Sequence, residues 1–193
     1  MKQLPIHILY LSGLGDDYDS FRLRALRWWK YRNVTVELVP MKWATGTFEQ
    51  KLARIDRAID SAQGKRVVVV GESAGGSMAV HIAARRPDIY KVMTICGKNS
   101  HPETVGQRYY DHSPAFKASM DLLNDSAKQL NDDQRKKFVS IHPLYDGTVP
   151  VRDTVLAGCR QVWLPLVGHL FVIGCALTIF SPVIVRAARQ KIK

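Results

Sequence analysis

Val67-Val68-Val69-Val70-Gly71-Glu72-Ser73-Ala74-Gly75-Gly76-Ser77-Met78-Ala79-Val80 is the stretch that decides the fold. Four consecutive valines read as a strand buried on both faces, because a β-branched run with no polar alternation has no side to give to water. The Ala/Met/Val/His/Ile spacing after Gly76 reads as a helix, so Ser73 falls on the turn between the two. Gly71 and Gly75 flank it in the pattern Gly-x-Ser-x-Gly. Without Cβ atoms at those two places, strand and helix approach closely while the serine takes a strained backbone conformation. That geometry exposes the Ser73 hydroxyl at the sheet edge and aims the first N–H groups of the helix at the same spot.

Working outward, further apolar β-branched runs predict strands over residues 4–11, 34–39, 90–96, 137–141 and 160–164. Helical patterns fill the intervals. One starts at Asp19 or Ser20 and runs to about Arg32, one is capped by Thr47 and reaches about Ala62, and one opens at Ser113-Pro114 and runs to about Leu130. Six strands alternating with helices predict an α/β fold, a three-layer sandwich with a six-stranded, mostly parallel sheet covered on both faces. At 193 residues, the chain suits one domain spanning 1–193.

The strand, turn and helix around Ser73 resemble the nucleophile elbow of the α/β-hydrolase superfamily, and the strand succession resembles that superfamily's minimal core. The resemblance implies a serine esterase with an acid and a base on later loops. Asp146, in Asp146-Gly147-Thr148-Val149-Pro150 after the fifth strand, matches the family's acid loop, and His169, after Gly168, matches its base. Ser73, Asp146 and His169 then stand in the family's chain order. The loop Ser12-Gly13-Leu14-Gly15 resembles the oxyanion loop, with Ser12 where many members have histidine. Backbone N–H groups of Leu14 and Ala74 are the implied oxyanion donors.

Loops on the same sheet edge supply Gly13, Met41, Trp43 and Tyr110 as candidate pocket residues. Residues 98–113 form a polar connection long enough only for a short flap, which predicts an open, shallow site. His101 and His112 lie in that connection as alternative bases, and Asp153 is an alternative acid inside a short helix. His81, on an apolar helix pointing away from the Ser73 turn, reads as a packed or surface histidine. Glu72, beside the nucleophile, is placed to hydrogen-bond a neighbouring loop.

Composition narrows the class. With 46% hydrophobic and 23% charged residues the chain is that of an ordinary globular protein. Cys96, Cys159 and Cys175 are odd in number and widely spaced among apolar neighbours, which predicts reduced core thiols and a cytoplasmic address, with no disulfide framework and no metal site. Met1-Lys2-Gln3-Leu4-Pro5 offers no signal-peptide core. No cofactor is expected, and the expected partner is a small-molecule acyl ester or thioester.

The net charge of +11 is the one unusual bulk property. Its densest run, Arg22, Arg24, Arg27, Lys30 and Arg32, mixes with Phe21, Leu23, Leu26, Trp28 and Trp29 and reads as a solvated outer helix with one packed face. No nucleic-acid partner is expected on that reading. The competing class is a noncatalytic protein of the same fold whose basic surface meets anionic lipid or nucleic acid. From Val162 to Val185 no Asp, Glu, Lys or Arg occurs, yet Pro165, Gly168 and Ser181-Pro182 interrupt the run. It reads as a last strand and a buried helix, with no stable membrane span.

Overall fold

The computed structural model of the protein describes residues 4–192, so the first three residues of the N-terminal reading lie outside the described residues. Six strands, β1 (Ile6–Leu11), β2 (Val34–Val39), β3 (Arg66–Glu72), β4 (Lys91–Ile95), β5 (Phe138–Tyr145) and β6 (Arg160–Val167), form one sheet. Their order is β2-β1-β3-β4-β5-β6. Every neighbouring pair is parallel, so the sheet expected to be mostly parallel is wholly so among the described residues. The helices are α1 (Asp19–Arg27), α2 (Phe48–Ser61), α3 (Gly75–Arg85), α4 (Gln107–His112), α5 (Pro114–Gln129), α6 (Asp132–Lys137), α7 (Val151–Thr154), α8 (His169–Leu177) and α9 (Ser181–Arg189).

The four valines serve both cores. Val67 and Val69 join Leu9, Leu11 and Phe138 beneath α2, α3 and α5. Val68 and Val70 join Ile8, Tyr10 and Ile141 beneath α1, α8 and α9. All four are buried, each contributing roughly 1.5–3 kcal/mol relative to exposure, which is why no polar residue interrupts the run. Strand order reverses between β1 and β3. The chain after β1 leaves toward one face and the chain after β3 toward the other, opening a crevice at the C-terminal ends of these two strands.

Local chemistry explains the helix ends. Thr47 accepts from the Gln50 N–H while the Gln50 side chain accepts from the Thr47 N–H, a reciprocal cap for α2. Asn131 and Gln134 repeat this device for α6, a short helix that the apolar pattern did not reveal because it is almost wholly polar. Helix α1 ends at Arg27, short of the expected Arg32. The chain there turns to bury Trp29, whose indole N–H donates to the Leu177 carbonyl at 2.7 Å, and leaves Trp28 exposed.

Strands β5 and β6 run past their expected ends, through Pro143 and Pro165. An irregular register between Pro143 and Tyr145 absorbs the proline that a regular ladder would reject. The apolar C-terminal segment forms the end of β6 and two helices in place of one. Among the described residues no single helix is long and apolar enough to cross a membrane; α8 and α9 would pass together by length and composition, but they meet at a bend of 69°.

Candidate active site

Ser73 occupies the turn between β3 and α3 with φ of +49°, a left-handed conformation that costs a serine energy and persists only when its surroundings hold it there. Three backbone bonds do so. Ser73 N–H donates to Ile95, and its carbonyl accepts from Gly76 and Lys98. The flanking glycines have a steric origin: a Cβ on Gly71 would fall 2.3 Å from the Gly75 carbonyl oxygen, and one on Gly75 would fall 2.5 Å from that of Leu11.

The β5 and β6 loops bring the other two groups to the same edge. His169 Nε2 is 2.8 Å from Ser73 Oγ, and His169 Nδ1 is 2.7 Å from Asp146 Oδ2. The second carboxylate oxygen of Asp146 accepts the N–H groups of Thr148 at 2.8 Å and Val149 at 2.9 Å. Burial raises the Asp146 pKa, but the His169 bond and charge and these two amides outweigh it and leave the carboxyl below its ordinary value. Asp146 is thus an anion at neutral pH, and the imidazole is held at one nitrogen with the other facing a hydroxyl. Such an imidazole can take the hydroxyl proton as the oxygen attacks a carbonyl.

Cys96 Sγ lies within 4.8 Å of ligand-type atoms of Asp146 and His169. Burial first, and the Asp146 charge second, push its thiol well above the ordinary range. A protonated thiol beside an Asp146–His169 pair already bonded to each other is a poor cradle for a metal ion.

The loop after β1 is fixed by a buried cluster in which Glu72 bonds a neighbouring loop, as expected, and Arg22 turns inward, as the sequence did not reveal. Arg22, expected in a solvated face, is buried instead: its Nε donates to Glu72 at 2.7 Å, and a second guanidinium nitrogen reaches the same carboxylate oxygen. The guanidinium also donates to the Gly15 carbonyl at 2.9 Å and the Leu14 carbonyl at 3.3 Å. Glu72 accepts the Gly13 N–H at 3.3 Å and the Tyr10 hydroxyl at 2.5 Å. A carboxylate adjacent in sequence to Ser73 therefore grips the loop carrying the Leu14 N–H. The amides of Leu14 and Ala74 border the cavity, and neither donates to another described residue.

The cavity over Ser73 measures about 310 Å3. Its apolar lining is Leu14, Val105, Tyr109, Phe116, Val149, Leu170 and Ile173. Met41 and Trp43, expected on the wall, are buried beneath it. The Met41 amide donates to Ser12 Oγ at 3.0 Å, the Trp43 indole donates to the Ser12 carbonyl at 3.0 Å, and the Trp43 ring packs edge-on to Phe116. Tyr110 also turns away, donating to the Pro102 carbonyl at 2.9 Å, and its neighbour Tyr109 takes the place on the wall. Gly13 sits behind the nucleophile, where a Cβ would come 2.9 Å from that of Ser73.

The alternative acid and bases are occupied elsewhere. Asp153 is buried against Lys98 at 2.6 Å, His101 pairs with exposed Glu103 at 3.0 Å, and exposed His112 bonds the Arg108 carbonyl at 2.7 Å. His81 is buried between Ser126 and Ser119, and burial lowers its pKa to about 4. Its neutral form is the one that fits. In the unfolded chain it protonates near its ordinary 6.5, so the folded state loses about 3 kcal/mol as pH falls from about 6.5 to about 4. Urea midpoints across this range should show that acid limb, and a His81→Gln variant should flatten it.

The Esterase family model matches residues 9–141, more than two thirds of the chain, running from the second half of β1 through the elbow to the first half of β5. The chain belongs to the Esterase family. Within this esterase-family protein, Asp146 and His169 lie beyond the matched span, and their places rest on the geometry alone. No curated protein matches it by sequence.

Solved structures agree on the fold. A structure reported for LipS and LipT, two metagenome-derived lipolytic enzymes, is similar with TM-score 0.70 and 14% identity over 98% of this chain and 96% of that one. An extracellular α/β-hydrolase from a Paenibacillus species is similar with TM-score 0.67 and 13% identity over 96% and 100%. The esterase domain of a Rhodothermus marinus protein gives 0.63 and 16% over 96% and 86%. The esterase-family protein is a hydrolase with the α/β-hydrolase fold.

Proposed function

We propose that this hydrolase is a serine carboxylesterase that works through an acyl-enzyme. The observation that carries the reading is the line from Ser73 Oγ through His169 to Asp146, opening on an apolar cavity. Ser73 attacks the ester carbonyl while His169 Nε2 takes its proton, and Asp146 holds the resulting imidazolium in place. The Leu14 and Ala74 N–H groups receive the oxyanion, each such donor being worth on the order of 3 kcal/mol of barrier. The imidazolium then protonates the leaving alcohol. Water, deprotonated by the same imidazole, releases the acid and restores Ser73.

The lining residues suit an acyl chain, and segment 98–113 supplies Val105 and Tyr109 among them as a short flap. Lipolytic enzymes and a thioesterase domain among the structural neighbours agree with acyl transfer to water, from oxygen or sulfur esters. The reduced cysteines favour a cytoplasmic setting. A cavity of this size should favour p-nitrophenyl butyrate to octanoate and turn over the palmitate poorly. Measured kcat/KM across the series is expected to rise and then fall. Absence of turnover over the whole series would instead favour a noncatalytic relative of the fold.

A further inference from the structure

We propose that the opposite edge of the sheet carries an anion site for phosphoryl groups, in the groove between the starts of β4, β5 and β6 and the end of α9. The groove has a volume of about 620 Å3, twice that of the cavity over Ser73. Lys91, Lys136, Arg160 and Lys191 line it, and among the described residues no carboxylate does. The first residue of β4 and the first of β6 are both cations, so parallel pairing places them at the same edge.

Lys91 is built into the site. The residue is only 2% exposed, and its Nζ donates to the Ala187 carbonyl at 2.7 Å and the Gln190 carbonyl at 2.6 Å. These carbonyls belong to the end of α9, whose partial negative charge accounts for an ammonium here without cancelling it. Burial, then the charges of Arg160 and Arg66, bring Lys91 down to about 8, so the cations of this edge strain one another.

Compensation is scarce. Lys136 has an Asp133 partner at 3.3 Å, itself 85% exposed, and Arg160 donates to the neutral Gln190 amide. Asp88, in the turn before β4, is held by Arg86 at 2.8 Å, and the side-chain acids after Asp133 are Asp146 and Asp153, both buried and both placed after the far end of β5. A phosphoryl group answers this arrangement: several anionic oxygens in a concave site can accept from ammonium and guanidinium donors together. The eight residues of β6 separate the groove from His169 by roughly 25 Å, so an occupant would not touch the acyl cavity. The same chemistry arises from a soluble di- or triphosphate or from the headgroups of an anionic bilayer.

The test uses the full chain and an Arg160→Gln/Lys191→Gln variant, both side chains being exposed and remote from Ser73. Tripolyphosphate is expected to raise the thermal midpoint of the unmodified protein beyond the effect of sodium chloride at equal ionic strength. Its Kd should rise about tenfold or more in the variant, with ester turnover unchanged. Sedimentation with phosphatidylglycerol vesicles, absent with phosphatidylcholine and displaced by tripolyphosphate, would assign the site to a bilayer. Tripolyphosphate binding without vesicle binding would assign it to a soluble phosphate. A midpoint shift matched by chloride, or one of equal size in the variant, overturns the proposal.

Discussion

Ser73→Ala is expected to lower kcat on p-nitrophenyl esters by a factor on the order of 10^4 or more, with the protein still folded. The size follows from what the hydroxyl does. It supplies the atom that becomes bonded to the acyl group, and neither His169 nor Asp146 can take over that part. Alanine retains the β-carbon and removes one oxygen, so the elbow keeps its packing. The left-handed φ of +49° persists, because three backbone bonds hold it independently of the hydroxyl. Circular dichroism and the thermal midpoint should therefore stay close to those of the unmodified protein. A residual rate within about tenfold of the unmodified enzyme would mean that another group performs the attack.

Arg22→Met is expected to damage stability and catalysis together. It strips a buried carboxylate of its cation, a loss of about 3–5 kcal/mol in comparable settings. It also releases the Leu14 and Gly15 carbonyls, freeing the loop whose Leu14 N–H borders the cavity. The catalytic loss should fall mainly on kcat, by about 10^2-fold at a temperature where the variant is folded, with KM little changed, because the oxyanion forms only during the reaction. Removing the partner charge as well, in Arg22→Met/Glu72→Gln, should recover much of the stability and little of the kcat. Arg22→Lys should recover part of both, since an ammonium can pair with Glu72 but cannot fork to two loop carbonyls. If kcat tracked stability alone through this set, the loop would have no positioning role.

The parts of the molecule legible from sequence were those set by neighbours in the chain. The elbow is one: four valines, two glycines and a serine lie within nine residues, and the clash a Cβ would cause at Gly71 is with Gly75 in the very next element, although Gly75 itself is required by the distant Leu11 carbonyl. The α2 cap is another, since Thr47 and Gln50 are three residues apart. Asp146 and His169 carry no local mark that separates them from an ordinary turn aspartate or buried imidazole, and only their order after Ser73 in a resembling fold singled them out. Arg22 was misread because its partner Glu72 is fifty residues away, so nothing in the basic run shows which cation turns inward. Met41 and Trp43 were placed on the right edge, but their loop folds back beneath the cavity to meet Ser12. Tyr109 and Tyr110 illustrate the finest scale: on a six-residue helix, consecutive residues face different ways, and the one that lines the wall depends on packing.

The most direct test of the central claim is mass-spectrometric mapping of a fluorophosphonate adduct. The reagent bonds a serine oxygen only where an adjacent base raises its nucleophilicity. One adduct per chain is expected, on the tryptic peptide containing Ser73, absent from Ser73→Ala and strongly slowed in His169→Gln. An unlabelled protein, or an adduct carried on any other residue, would contradict the assignment of Ser73 as the nucleophile.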